Sequence, residues 1–390
     1  MPMVTLSIVH VLSNRWWTGS AEPALALVRG LLDYGHRAVL GVPAGSQVED
    51  LARKMGIPLI EGLHLNPRFH PWAWLHDLRR LNTFLRRVPI DILHTHLSHD
   101  HWLGACALAA LNPTRRRPPV HVRTIHTLRR RNSRPYRWLL QHGADHLITV
   151  STALQQELLD TYHIPAPRLT IVPGAVDSHR FHPQIAGDSI RDEFGLGPET
   201  PLVGIVARIA PSRGHLLLIE AFAQVHAAIP EARLLIVGKG EFRPRVEQQV
   251  RDCGLVDAVM FAGYREEDLP EILAALQVFV LLAPGSEGSC RAVLEAMAMG
   301  KAVVAARAGA LGDIVLDGET GLVVDPLSPT ALAHAISRLL RAPEQAQQMG
   351  WRGRLRVERD FSRQRQVEDV LRLYDWLLAS RRRSRAARRR

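Results

Sequence analysis

Glu287 and Glu295 stand with seven residues between them in the run Pro284-Gly285-Ser286-Glu287-Gly288-Ser289-Cys290-Arg291-Ala292-Val293-Leu294-Glu295-Ala296-Met297-Ala298-Met299-Gly300. The first carboxylate follows a Gly/Ser-rich turn. The second falls about one and a half turns into a strongly helical stretch. A helix start leaves backbone N–H groups without intrahelical partners, which suits an anion. Amides that hold phosphate, between two carboxylates that hold hydroxyls, suit a nucleotide sugar. Cys290 lies in the same run, so a nucleophilic thiol is weighed there. No histidine is near it in sequence, and a helix start favours a structural role.

Other charged groups recur at strand-like ends. Val206-Ala207-Arg208-Ile209 is followed by Ser212-Arg213-Gly214. Gly238-Lys239-Gly240-Glu241 reads as a tight strand-to-helix turn, where backbone can approach a ligand closely. Phe261-Ala262-Gly263-Tyr264-Arg265 ends another strand. The N-terminal half is rich in histidine: Asp91-Ile92-Leu93-His94-Thr95-His96, then His99, Asp100 and His101, and later Val122-Arg123-Thr124-Ile125-His126. One-residue spacing puts His94 and His96 on one strand face, so zinc is weighed. No Asp-x-Asp is present to hold a metal against a diphosphate. Arginines and a helix N-terminus would carry that charge instead.

In their order along nearly the whole chain, these motifs resemble the GT-B retaining glycosyltransferases, family 4 (glycosyl transferases group 1). The resemblance implies two doubly wound Rossmann-like α/β domains facing across a cleft. It implies a donor diphosphate clamped by Arg208 and Arg213, donor-sugar hydroxyls on Glu287, and the ribose on Glu295. Gly288, Ser289 and Cys290 would offer amides to sugar and phosphate, and the loop of Tyr264 and Arg265 would meet the base. Gly19 and Gly238 would admit the donor closely, and His126 matches the histidine that faces the donor sugar. A hydrogen-bonded histidine at the cleft edge is the alternative for His126. Family members place histidine at the His94 strand end without metal, so no metal or other cofactor is expected. Transfer with retention would follow a front-face route. The chain departs from the pattern at Ser20, where a second glycine is usual, at Arg213, where lysine is usual, and at Pro173-Gly174-Ala175-Val176-Asp177, read as a structural turn. Ser20 and Arg213 motivate an alternative, a catalytically silent nucleotide-sugar-binding protein.

The elements that must position these groups alternate. Apolar runs at 6–12, 38–42, 91–93, 120–125 and 146–150 read as strands, with helical spacing at 21–34 and 153–161. The rhythm restarts at 202–206, 233–237, 259–261, 278–282 and 302–305. The division expected is 1–183 for an acceptor-binding domain, 184–201 for a linker, 202–362 for a nucleotide-sugar domain, 363–380 for a helix returning to the N domain, and 381–390 for a disordered basic tail. The return of that helix comes from the resemblance; its residues show an apolar stripe of Val367, Val370, Leu371, Tyr374, Leu377 and Leu378.

Composition narrows the setting. The 390 residues are 46% hydrophobic, enough for large cores. Three cysteines without metal-like spacing, and no leader segment, suggest reduced thiols in the cytoplasm. The net charge is +11, of which arginines at 381–390 supply 7, leaving +4 (11 − 7). That tail could meet an anionic membrane or remain solvated; nucleic acid is not expected, since no recognition motif or stacking platform accompanies it. Residues 69–87 form an amphipathic helix with Trp72, Trp74, Arg79 and Arg80, suited to a membrane interface and a lipid-linked or cell-envelope glycan acceptor. The same helix also reads as one packed on a sheet by Leu75, Leu78, Leu81 and Leu85. Peripheral attachment to the inner face of the cytoplasmic membrane follows from the first reading.

Overall fold

The computed structural model describes residues 5–16, 21–66, 68–111, 118–128, 133–283, 290–325 and 327–387, with side chains through 383. In chain order the elements are β1 (Ser7–Val11), α1 (Ala21–Asp33), β2 (Arg37–Gly41), α2 (Gln47–Lys54), α3 (Pro71–Arg87), β3 (Ile92–Thr95), α4 (Ser98–Leu111), β4 (Val120–Ile125), α5 (Arg134–His142), β5 (His146–Thr149), α6 (Thr152–Tyr162) and β6 (Leu169–Ile171). Then come α7 (Asp188–Glu193), β7 (Leu202–Val206), α8 (His215–Ala228), β8 (Arg233–Val237), α9 (Arg243–Asp252), β9 (Val259–Gly263), α10 (Leu269–Ala275) and β10 (Val278–Leu281). The chain ends with α11 (Arg291–Ala298), β11 (Ala302–Ala306), α12 (Leu311–Ile314), β12 (Leu322–Val324), α13 (Pro329–Arg341), α14 (Pro343–Asp360) and α15 (Arg363–Ala387). Unit 1 comprises Met1–Gly174 and Arg363–Arg390; unit 2 is Ala175–Ser362.

Unit 1 is a parallel sheet in the order β2-β1-β3-β4-β5-β6. Both faces are covered, so its strands are buried on both sides, with His10, His94, His121 and Arg123 set among the apolar residues. Ile8 and Leu12 pack against Leu25, Val28 and Leu31 of α1, with Val367, Val370 and Leu371 of α15. Val9, Val11 and Leu93 pack on the other face against Leu81 and Leu85 of α3 and Leu103 of α4. A Cβ on Gly30 of α1 would fall 2.5 Å from Val367 Cγ2, so glycine there lets α15 lie close. Arg363 adds an ion pair to Glu22 at 2.5 Å. The last helix therefore belongs to unit 1. It also runs on through 381–387, where disorder was expected. Arginine and alanine are strong helix formers, and nothing in Arg-Arg-Arg-Ser-Arg-Ala-Ala interrupts them. Arg381 Nη1 donates to the Pro118 carbonyl at 2.8 Å.

Unit 2 has the order β12-β11-β10-β7-β8-β9, again parallel. Val203, Ile205, Ile236 and Val280 face Leu218 and Phe222 of α8 and Ile336 of α13. Leu202, Leu235 and Phe279 face Leu273 of α10, Val293 and Met297 of α11, and Val357 of α14. The stretch 184–201 is not a free linker. It carries α7, whose Ile190 is buried, and Arg191 donates to the carbonyls of Gly197, Thr200 and Ala275. Its polar composition hides this because one arginine satisfies three carbonyls at once.

Candidate functional site

In open parallel sheets, ligands bind beyond the carboxyl ends of the strands, where the strand order reverses. In unit 2 that point lies between β7 and β10. The loop after β7 carries Arg208 and Arg213. The segment after β10 leads to α11. The two segments touch: a Cβ on Gly214 would lie 2.8 Å from Leu282 Cβ, and Gly214 has φ +76°.

The Arg208 loop is clasped by the turn after β8. Ala207 N–H donates to the Val237 carbonyl at 3.0 Å, and Ile209 N–H to that of Lys239 at 3.1 Å. A Cβ on Gly238 would stand 2.0 Å from the Ala207 oxygen, and one on Gly240 2.0 Å from the Ile209 oxygen. Glycine at 238 is thus required by the protein's own backbone, a requirement the sequence turn did not reveal. The clasp also brings Glu241 to Arg208, whose Nη2 donates to Oε2 at 2.9 Å. Both side chains are mostly exposed, at 67% and 65%. Glu241 is held below the usual carboxylate range by its own backbone amide and then by Arg208. Arg213 closes a 3-10 turn, Pro211–Arg213, before α8. Burial, and then the Arg213 charge, push His215 down to about 4.

Glu287, Gly288 and Ser289 lie outside the described residues, as does Gly19 in unit 1. Cys290 is described: it is buried, adopts φ 49°, ψ 39°, and caps α11 in a left-handed conformation that a side chain disfavours. Its carbonyl accepts from Val293 N–H at 3.0 Å. Glu295 is buried and accepts from Arg291 Nε at 2.6 Å. Sequence spacing alone left that pair unseen, although i and i+4 share a helix face.

Beyond β9, a pocket of about 670 Å³ is lined by Arg180, Tyr264, Arg265, Glu266, Glu267 and Asp268. Tyr264 is exposed, and Lys239 Nζ lies 4.6 Å from its ring centroid. Arg265 spans Glu193 at 2.7 and 2.8 Å and also binds Asp268. Its guanidinium therefore ties the loop to α7 and is committed to carboxylates, whereas the sequence expectation placed the loop, and not this side chain, against the base.

In unit 1 the order reverses between β1 and β3, which pair with His10 opposite His94. His10 Nδ1 lies 3.0 Å from His96 Nε2, and His96 Nδ1 lies 3.4 Å from His126 Nε2. His94 is held by Tyr374 of α15 at 2.5 Å and by Thr124 at 2.7 Å. Burial pushes His10 down to about 3; burial, and then Arg123, push His126 down to about 4. Arg123, buried on the other face, is itself lowered to about 10 by burial. His10 gave no signal in sequence because its partner lies 86 residues away.

Among the described residues, two groups bring three ligand atoms within 4.8 Å of one another: His10, His94 and His96, and His64, His76 and Asp77. In the first, both nitrogens of His94 are already hydrogen-bonded, so a metal would have to displace Tyr374 or Thr124. In the second, buried Asp77 accepts from the backbone N–H groups of His64 and Leu65, both at 2.8 Å. It holds a turn in which Leu65 has φ 41°.

Helix α3 separates its two tryptophans. Trp72 is 77% exposed beside Phe69 at 74%, whereas Trp74 packs toward the core. Arg79 is exposed, and Arg80 Nε donates to the Glu61 carbonyl at 2.8 Å. The core-packing reading holds for the face of Leu81 and Leu85, and the opposite face leaves Trp72 exposed. No helix among the described residues is long and apolar enough to cross a membrane.

Two family descriptions match the chain: Glycosyltransferase Family 4 over residues 17–180, and Glycosyl transferases group 1 over 187–356. The "GDP-mannose-dependent alpha-(1-6)-phosphatidylinositol monomannoside mannosyltransferase" of Mycolicibacterium smegmatis is 35% identical over 198 residues, 49% of this chain and 52% of that protein. The chain thus spans about half the length of that relative. The D-inositol 3-phosphate glycosyltransferase of Acidothermus cellulolyticus is 31% identical over 318 residues, 75% of this chain and 68% of that protein. Anabaena HepE, solved with UDP and glucose, superposes with a TM-score of 0.80 at 20% identity, over 95% of this chain and 99% of that one. That likeness concerns the fold, two Rossmann-like α/β units of the GT-B class. With both halves matched, and the Arg208 loop and α11 at the strand reversal of unit 2, the chain belongs to the glycosyl transferases group 1 family.

Proposed function

We propose that this protein is a retaining glycosyltransferase that moves a sugar from a nucleotide-sugar donor to a lipid-linked or cell-envelope glycan. The observation that carries the reading is the placement of Arg208, Arg213 and the start of α11 around the β7/β10 reversal, where a diphosphate would meet cations and helix amides. In the front-face route, the bond from the anomeric carbon to the phosphate oxygen breaks and its electrons pass to that oxygen. The acceptor oxygen bonds the same face, and its proton goes to the leaving phosphate. Arg208 and Arg213 stabilise the charge that develops there. Glu287 and Glu295 hold sugar and ribose hydroxyls.

The mannosyltransferase relative supports a GDP-mannose-type donor and a phosphoinositide-type glycolipid acceptor; HepE supports a uridine nucleotide as the competitor to be tested. A panel of nucleotide sugars, each offered with glycolipid and soluble acceptors and read by mass, tests the reading. Transfer with retained anomeric configuration, undiminished by chelator, is expected. Donor binding without transfer or hydrolysis across the panel would establish the silent binding protein instead.

A further inference from the structure

Three imidazoles of unit 1 form an unbroken chain: His10 Nδ1 to His96 Nε2 at 3.0 Å, and His96 Nδ1 to His126 Nε2 at 3.4 Å. Neighbouring rings are nearly parallel, at 22° and 21°. His94 lies against this row, with ring centroids 4.6 Å from His96 and 4.7 Å from His10, and its own nitrogens are occupied by Tyr374 and Thr124. It packs the row in place without joining it.

Proton counting restricts the chain. Each neutral imidazole carries one N–H. Burial keeps His10, His96 and His126 neutral near pH 7. Each link needs one proton, and His96 can supply only one of the two. All donors must therefore point the same way. Either the chain runs toward His126 and leaves Nδ1–H of His126 free, or it runs toward His10 and leaves Nε2–H there. His10 is fully buried, and its Nε2 has no partner among the described residues. The second arrangement would bury an N–H with no acceptor, and orphaned buried N–H groups are rare. The first leaves a bare ring nitrogen there instead. His126, at 7% exposure, retains access to solvent, and its Nδ1 makes no hydrogen bond to a described residue.

We propose that His10 and His96 are positioning residues that lock His126 in its Nδ1–H tautomer, so that it presents a fixed donor to an oxygen of a sugar ligand. The functional part of this inference rests on the reading of His126 as a sugar-facing residue; the tautomer itself does not. A ring locked in this way needs no reorganisation when ligand arrives, which is how a hydrogen bond contributes most to catalysis.

The test is the two-bond proton–nitrogen spectrum of the full-length protein labelled at histidine, with His126→Gln used for assignment. In the wild type, His126 Nδ1 should be protonated and Nε2 bare at pH 7.5. His96→Phe keeps a ring of similar size but cuts both links, and should return His126 to mixed tautomers. Its kcat should fall on the order of 10-fold with KM little changed, the scale of one oriented hydrogen bond lost. His10→Phe cuts one link and provides the same reading should His96→Phe not fold. A wild-type His126 protonated at Nε2, or a tautomer unchanged in the folded variants, would overturn the proposal. Full transfer activity in His126→Gln would sink the sugar-facing role alone, and with it the proposed function of the lock, while the spectra still decide the lock itself.

Discussion

Arg208 Nη2 and Glu241 Oε2 lie 2.9 Å apart, joining the loop after β7 to the turn after β8. The pair is exposed, so its net worth is small. A diphosphate can displace Glu241 from Arg208 at little cost. Glu241→Gln should therefore tighten nucleoside diphosphate binding by up to about fivefold, while Arg208→Ala lowers turnover by on the order of 10²-fold. Titration calorimetry and initial rates measure the two. Weaker binding in Glu241→Gln would show that the carboxylate assists the ligand and does not compete with it.

Glu295 and Arg291 separate a binding role from a structural one. If Glu295 holds ribose, Glu295→Ala should weaken donor binding by more than about tenfold, roughly the loss of one charge-assisted hydrogen bond. Arg291→Ala breaks the same 2.6 Å pair without removing the carboxylate and should weaken donor binding far less, its cost falling on stability because buried Glu295 loses that partner. Equal losses in the two variants would assign Glu295 to helix support.

Gly238 tests the clasp. Its φ of +144° and the 2.0 Å approach of the Ala207 oxygen leave no room for a Cβ. Gly238→Ala should cost about 3 kcal/mol or more, through strain and displaced backbone. Gly254 has φ +67° and nothing within 4 Å of its Cβ position, so Gly254→Ala should cost only about 1–2 kcal/mol. Urea unfolding of both variants compares them, and similar losses would contradict the steric account.

Acid should open unit 1 first. Burial lowers His10 and His121 to about 3, and His126 and His146 to about 4. The unfolded chain protonates these rings near pH 6.5, whereas the fold keeps them neutral until those lower values. Between the two, the unfolded state binds more protons, so stability is full above about pH 6.5 and falls as pH falls. Each ring contributes about 1.4 kcal/mol per pH unit in that window. In unit 2, His215 carries such a shift. Amide exchange at pH 7.5 and 5.5 should show protection lost preferentially in β1, β3 and β4. Equal loss in both units would refute the assignment.

The exposed pair Phe69 and Trp72 and the arginines of the α15 extension predict binding to anionic vesicles that falls with salt. Each basic residue adds at most about 1 kcal/mol near such a surface. Phe69→Ala with Trp72→Ala should remove the binding that survives high salt, whereas Trp74→Ala should instead lower stability, because Trp74 packs on the core. Vesicle flotation measures the first and thermal melting the second. A wild type that stays in solution with anionic vesicles at low salt would favour a soluble acceptor.

Much of the architecture is local and so was legible along the chain. Strands such as those at 202–206 and 278–281 are apolar on both faces, and the stripe Val367, Val370, Leu371 and Tyr374 repeats with helical period. Arg208 and Arg213 are close in sequence, as are the residues of the run to Glu295, so each motif was visible along the chain and the family resemblance supplied its role. The short edge strands β6 and β12, three residues each, carry too few positions for a period to register. What joins distant segments was decided by tertiary structure. The register of β1 on β3 sets His10 beside His94 and His96, and α15 brings Tyr374 back to His94 across 280 residues. The need for glycine at 238 arises from a carbonyl 31 residues earlier in the chain, and Arg265 is occupied because α7 supplies Glu193. Periodicity reports which face of an element is apolar. Only the folded chain determines which partner that face, or a charge at its end, will meet.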